Sequence, residues 1–347
     1  MSDVIRDLQA THTRRSPVFV IGFPRSGTSI TCRLLRRYLK VSFGTESQFI
    51  IRYLRRLSEF GDLRDDANVR RLLYEISTER FFARSRHNWG FVFDVEQAIN
   101  TLTSRSYSAV LHAIFNQLAD HNGMVRWGDK TPAYNYHLRE LRQLFPDAQF
   151  VHVVRDGRDV ALSIQKQGFG AKNACQAAGE WTRAIDSITA FSQDLSDDQY
   201  VEVRYEDLTS RPAAVVEELA DFLGIDDRTG ELRTYVHTHI QREITQDNSG
   251  KWHQALSARE VERFEAVAGD ILAHFGYHLA YQGHARPVSA LERRYWNLRG
   301  RTDRWLMRTY WADNLYKIAV KSRRLLTFPR RGRPAESLQR QHFTRPA

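Results

Sequence analysis

Cysteine is nearly absent: Cys32 and Cys175 are the only two in 347 residues. Two thiols cannot frame a chain of this length with disulfides, so the expectation is a reducing compartment, the cytoplasm, and a function that does not run on cysteine chemistry. Long apolar runs are missing as well. No window reaches the roughly 18 apolar residues of a membrane span, and nothing before Val18 reads as a secretion signal. The 13 histidines are scattered without zinc-type spacing, so no metal is expected. Acidic charge is scarce in one region only. From Ala285 onward there are 16 Lys or Arg against 4 Asp or Glu, while positions 1–284 hold the other 35 and 37. The basic excess of the whole chain therefore sits at its C-terminal end, and the high isoelectric point describes that end and its partner.

What is present is enough apolar residue, 42%, to bury a full core. Three apolar runs, PVFVIGF, AQFVHVV and DQYVEV, end respectively on a glycine loop, on Arg155–Asp156 and on Arg204–Tyr205. Continuous runs of this kind read as buried parallel strands. Helical patterns cover 65–84, 94–120 and 172–194, with Pro132, Pro146 and Pro212 at turns or helix starts. Strands alternating with helices predict an α/β fold around a central parallel sheet, with ligands gathered at the carboxyl ends of the strands. The stretch 280–290, AYQGHARPVSA, reads as a linker, which divides the chain into an N-terminal segment 1–16, a main domain 17–280 and a basic helical appendage 281–347.

The loop Gly22-Phe-Pro-Arg-Ser-Gly27-Thr28-Ser29 has the glycine spacing of a nucleotide-binding P-loop, but Thr28 stands where an NTPase needs its Lys. That Lys reaches the terminal phosphates, so its loss argues against ATP or GTP hydrolysis and against a P-loop kinase. Loop amides and the start of the following helix still cradle a phosphate. Arg25 supplies a cation from another direction.

PRSGTS closely resembles the 5′-phosphosulfate loop, P-[KR]-S-G-T-[TS], of sulfotransferases that use 3′-phosphoadenosine-5′-phosphosulfate (PAPS). The resemblance implies a P-loop-like three-layer fold, sulfuryl transfer without a metal, and Arg25, Ser26, Gly27, Thr28 and Ser29 around the 5′-phosphosulfate. The donor's 3′-phosphate demands a second anion site. In FVHVVRDGRDVALSI, Arg155 at a strand end and Ser163 on the following helix resemble the family's 3′-phosphate pair. RYEDL, with Tyr205, and Asn248-Ser-Gly-Lys-Trp252, with Ser249 and Lys251, resemble the segments that flank and close over the donor.

Sulfuryl transfer needs a base for the acceptor proton and cations for the charge that builds on the departing side. Glu46 in FGTESQFI resembles the catalytic glutamate of the tyrosylprotein branch; other branches use a histidine, which keeps His152 and His137 as alternatives. Lys130 in WGDKTP resembles the family lysine that contacts the bridging oxygen of the donor. The acceptor is expected to carry a hydroxyl, on a carbohydrate or glycolipid or on a tyrosine or phenol. Phe81, Phe82, Trp89, Phe91 and Phe93 are either stacking surfaces for it or core.

In the appendage, Met307, Trp311, Leu315, Ile318, Ser322 and Leu325 make an amphipathic stripe flanked by basic residues, with Trp296, Trp305, Tyr310 and Tyr316 nearby. That composition suits a helix lying on the anionic inner membrane face, which would favour a lipid-linked glycan as acceptor. A basic face packed on the main domain is the other reading. Nucleic acid is the rival partner, but no nucleic-acid module is recognisable.

Overall fold

β1 (Val18–Ile21) is buried along its whole length and sends its side chains alternately to two faces. Phe19 and Ile21 join one core cluster, and Val18 and Val20 join another. Around β1 the computed structural model, which describes residues 16–242, 244 and 248–307, arranges β2 (Val41–Phe43), β3 (Arg126–Asp129), β4 (Gln149–Val154) and β5 (Tyr200–Arg204). The order is β2-β3-β1-β4-β5 and every pairing is parallel. The chain order reverses beside β1, which opens a crevice at the carboxyl ends of β1, β3 and β4.

On one face lie the helices of residues 50–121 and 138–144 with Trp127 and Phe150. On the other, α1 (Thr28–Leu39) and the helix Pro212–Phe222 pack on Val18, Val20, Val151 and Val153. A third cluster joins α2 (Gly157–Gln165), α3 (Ala174–Ser192) and α4 (Ala258–His274). Phe81, Phe82 and Phe91 are buried in the first cluster and Phe93 packs against it, so these rings are core and do not form a stacking surface for an acceptor.

Two long helical patterns are each interrupted. The first is split into Asp66–Ser77 and Arg80–Trp89, the second into Val95–Asn100 and Tyr107–His121, where Ser106 caps the second helix. β3 contains no apolar run at all. Its Arg126 is buried with partners at Ser16 O and Gln149, its Trp127 stacks on Phe115 at 4.5 Å, and a side chain on Gly128 would strike Phe43 and the Val18 carbonyl.

The described part of the appendage is α5 (Ala290–Trp305), which packs on α3. Residues 1–15 and the stripe positions Trp311, Leu315, Ile318, Ser322 and Leu325 lie outside the described residues.

Candidate active site

The glycine loop bridges the carboxyl end of β1 and the start of α1. Gly22 (φ +146°) and Gly27 (φ +103°) both occupy backbone conformations closed to most side chains. A Cβ at Gly22 would run into the Val153 carbonyl, and one at Gly27 into the Tyr205 ring, so this ring lies against the loop. Asn135 fixes the entry: its Oδ1 accepts from Gly22 N–H at 3.3 Å and its amide donates to Gly22 O at 2.8 Å. No side chain caps α1 and no acidic residue stands in its first turn. Its leading amides and positive dipole end therefore remain available to an anion. Beside them Ser26 is fully buried with no partner for its hydroxyl, Thr28 is buried, and Ser29 is exposed.

A second group of donors stands at the end of β4. Arg25 Nε donates to Ser163 Oγ at 3.0 Å, which joins the loop to α2. Arg155 donates to Arg25 O at 3.2 Å and to Asn248 O, and its guanidinium lies 4.3 Å over the Tyr205 ring. Its Nε is buried without a partner. Asn248 donates to the Tyr205 hydroxyl at 2.8 Å. Asp159 accepts from Gly250 N–H at 2.6 Å and Trp252 N–H at 3.0 Å, so the turn carrying the exposed Ser249 and Lys251 is tied to α2. Burial pushes the Asp159 carboxyl above its ordinary value.

The third component lies at the ends of β2 and β3. Lys130 Nζ donates to Glu46 Oε1 at 2.8 Å, with the two side chains 19% and 34% exposed, so the pair is open to an incoming group. The turn that carries Glu46 is fastened to β3. Ser47 N–H donates to Thr131 Oγ1 at 3.0 Å and to Asp129 Oδ1 at 3.3 Å, and the Ser47 and Tyr134 hydroxyls meet at 3.0 Å. Burial pushes the Asp129 carboxyl up to about 6. The two histidine alternatives lie elsewhere. His152 is wholly buried on β4 against the Tyr200 hydroxyl, and burial pushes its imidazole down to about 3, so it has no route to an acceptor. His137 is engaged with Glu140 at 3.0 Å.

Residues 17–229 match the model of the sulfotransferase family, well over half of the chain. The chain belongs to the sulfotransferase family. Among its relatives, protein-tyrosine sulfotransferase A of Caenorhabditis elegans is 24% identical over 62% of this chain and 53% of its own. Protein-tyrosine sulfotransferase 1 of Danio rerio is 24% identical over 78% and 73%. The chain spans about a third to a half of the length of several curated relatives that it matches. The sulfotransferase domain of the Synechococcus PCC 7002 olefin synthase superposes on 78% of this chain and 98% of its own with a TM-score of 0.50 at 20% identity, a likeness of fold.

In this sulfotransferase domain several residues build the crevice without a motif of their own. Arg158 is almost fully buried, bonded to Asp156 at 2.7 Å and to Glu265 at 2.7 Å, with Trp252 under its guanidinium at 3.7 Å. In VVRDGRD it is indistinguishable from a surface charge. Asn135, Ser47 and Asp129 act through contacts across 80 or more positions, which local spacing does not announce. The one signal available was a polar residue at each strand end.

Proposed function

We propose that this chain moves a sulfuryl group from PAPS to a hydroxyl on a carbohydrate or glycolipid in the cytoplasm, releasing adenosine 3′,5′-bisphosphate. The observation that carries the reading is the pair of anion-receptive places joined by the Arg25–Ser163 bond. Each ends in a buried donor without a partner, Ser26 Oγ in one and Arg155 Nε in the other. Buried polar groups are ordinarily paired, so orphaned donors at two places suit a ligand with two anionic ends. Thr28 in place of a lysine disfavours a kinase.

PAPS supplies the activated sulfuryl group. Arg25, Ser26, Gly27, Thr28 and Ser29 hold its 5′-phosphosulfate, Arg155 and Ser163 hold its 3′-phosphate, and Tyr205 flanks it. Ser249 and Lys251 cover it from the turn tethered by Asp159. Glu46 takes the proton from the acceptor hydroxyl as that oxygen bonds to sulfur. Lys130, alongside, neutralises the charge left on the departing phosphate oxygen.

The basic appendage supports an acceptor borne on lipid. A second reading, a tyrosine or phenolic hydroxyl, has its support in the names of the matched protein-tyrosine sulfotransferases. Incubation with sulfur-labelled PAPS, a glycolipid extract and tyrosine-containing peptides tests the choice. Label in the glycolipid fraction that vanishes with Glu46→Gln supports the first reading, and label confined to peptides replaces it with the second.

A further inference from the structure

The outward face of α5 carries an apolar stripe that nothing described here covers. Leu291 is 80% exposed and Leu298 63%, and the ring of Tyr295 is more than half exposed. At spacings of four and three, 291, 295 and 298 fall on one side of the helix. The opposite side is the packed one. Gly300 abuts Gln176 so closely that a Cβ would overlap it. Asn173 donates to Trp296 O at 2.9 Å, and Arg263 both pairs with Glu292 at 3.2 Å and lies 4.7 Å over Trp296. The main domain thus holds this helix with its stripe turned away.

Arginines share the stripe. Arg294 and Arg301 are exposed along the flank of the stripe beside Leu298, whereas Arg293 lies on the packed side toward α3, and among the described residues no ion pair engages Arg294 or Arg301. The acidic side chains of α5 are committed elsewhere, Glu292 to Arg263 and Asp303 to Arg299. Pairing the face with a second copy would set arginine against arginine. A flat anionic surface with an apolar interior satisfies both components, because the leucines and the tyrosine ring enter the acyl boundary while guanidinium groups reach headgroup phosphates. No described helix is long and apolar enough to cross a membrane, so such attachment is peripheral.

We infer that the exposed face of α5 docks the protein on an anionic lipid bilayer, with Leu291, Tyr295 and Leu298 inserted and Arg294 and Arg301 bound to headgroups. The helix seats beside Asn173, a few residues beyond the loop that leaves α2 and Ser163.

The test is co-sedimentation of the full chain with vesicles of phosphatidylcholine alone and of phosphatidylcholine with phosphatidylglycerol. Wild type should bind the anionic vesicles at least about tenfold better and release in high salt. A Leu291→Ser/Tyr295→Ser/Leu298→Ser variant and an Arg294→Gln/Arg301→Gln variant should each lose that binding while binding adenosine 3′,5′-bisphosphate as wild type does, which reports an intact fold. No preference for anionic vesicles, or variants that bind like wild type, would overturn the inference. A dimer in sedimentation velocity that only the leucine variant dissolves would also overturn it and assign the face to a second copy.

Discussion

Lys130 and Glu46 meet at 2.8 Å where β2 and β3 end, and on the proposed reading they divide the reaction between charge neutralisation and proton removal. Lys130→Ala and Glu46→Gln should each lower turnover by about 10²–10⁴-fold. Both should leave the affinity for adenosine 3′,5′-bisphosphate within a few-fold of wild type. Steady-state rates alongside ligand titration check this, and near-normal turnover in either purified variant removes that residue from the mechanism. Asp129, behind them, carries a cost in place of a catalytic role. Burial raises its carboxyl from 3.8 to about 6, so the neutral form favours the folded state. That contribution is complete below the unfolded value and disappears as pH rises through about 6. Asp129→Asn keeps an acceptor for Ser47 N–H and never ionises. Its stability in urea should match wild type near pH 4 and exceed it by up to about 3 kcal/mol above neutrality, at about 1.36 kcal/mol per pKa unit. A gap that does not widen with pH contradicts this account.

At the scale of elements, the crevice depends on how the strand ends are stitched together. Arg158 joins Asp156, just after β4, to Glu265 on α4, and Glu265 in turn accepts from Ala280 N–H and Tyr281 N–H at 2.9 Å. Replacing Arg158 by Met leaves two buried carboxylates without their cation, so chemical denaturation should show a loss of about 3–5 kcal/mol. A loss below about 1 kcal/mol would mean that the cluster is dispensable. The loop makes a sharper demand. Gly27→Ala must place a methyl group at φ +103° against the Tyr205 ring, and should weaken bisphosphate binding more than it lowers the melting temperature. β1, β4 and β5 were legible in the sequence because each is an apolar run ending in polar residues. β3 was not, because Arg-Trp-Gly-Asp is buried by long-range partners: a guanidinium satisfied by Ser16 O and Gln149, a ring stacked on Phe115, and a glycine chosen by Phe43. The same reasoning explains why motifs single out Glu46 and Lys130 but not Asn135, which fixes Gly22, or Asp159, which holds the amides of Gly250 and Trp252.

For the whole molecule, the structure divides labour between a sheet whose carboxyl edge gathers Arg25, Ser163 and Arg155, and an appended helix whose packed side rests on α3. Phe81 and Phe82, which composition leaves open between acceptor pocket and core, are core because they pack with Phe49 and Phe115 in stacked and edge-on ring contacts, whereas Trp89 is half-buried outside that cluster. On the proposed function, the loop and the Arg155 region together bind a nucleotide phosphorylated at both the 5′ and 3′ positions. Calorimetric titration with adenosine 3′,5′-bisphosphate, beside 5′-AMP and beside ATP with and without magnesium, is the deciding experiment. The account predicts clear preference for the bisphosphate, reduced by about 10–100-fold in Arg155→Ala, in keeping with about 1.5–3 kcal/mol for hydrogen bonds to a charged group. Equal weak binding of all three nucleotides, or tight binding of ATP that requires magnesium, would contradict it.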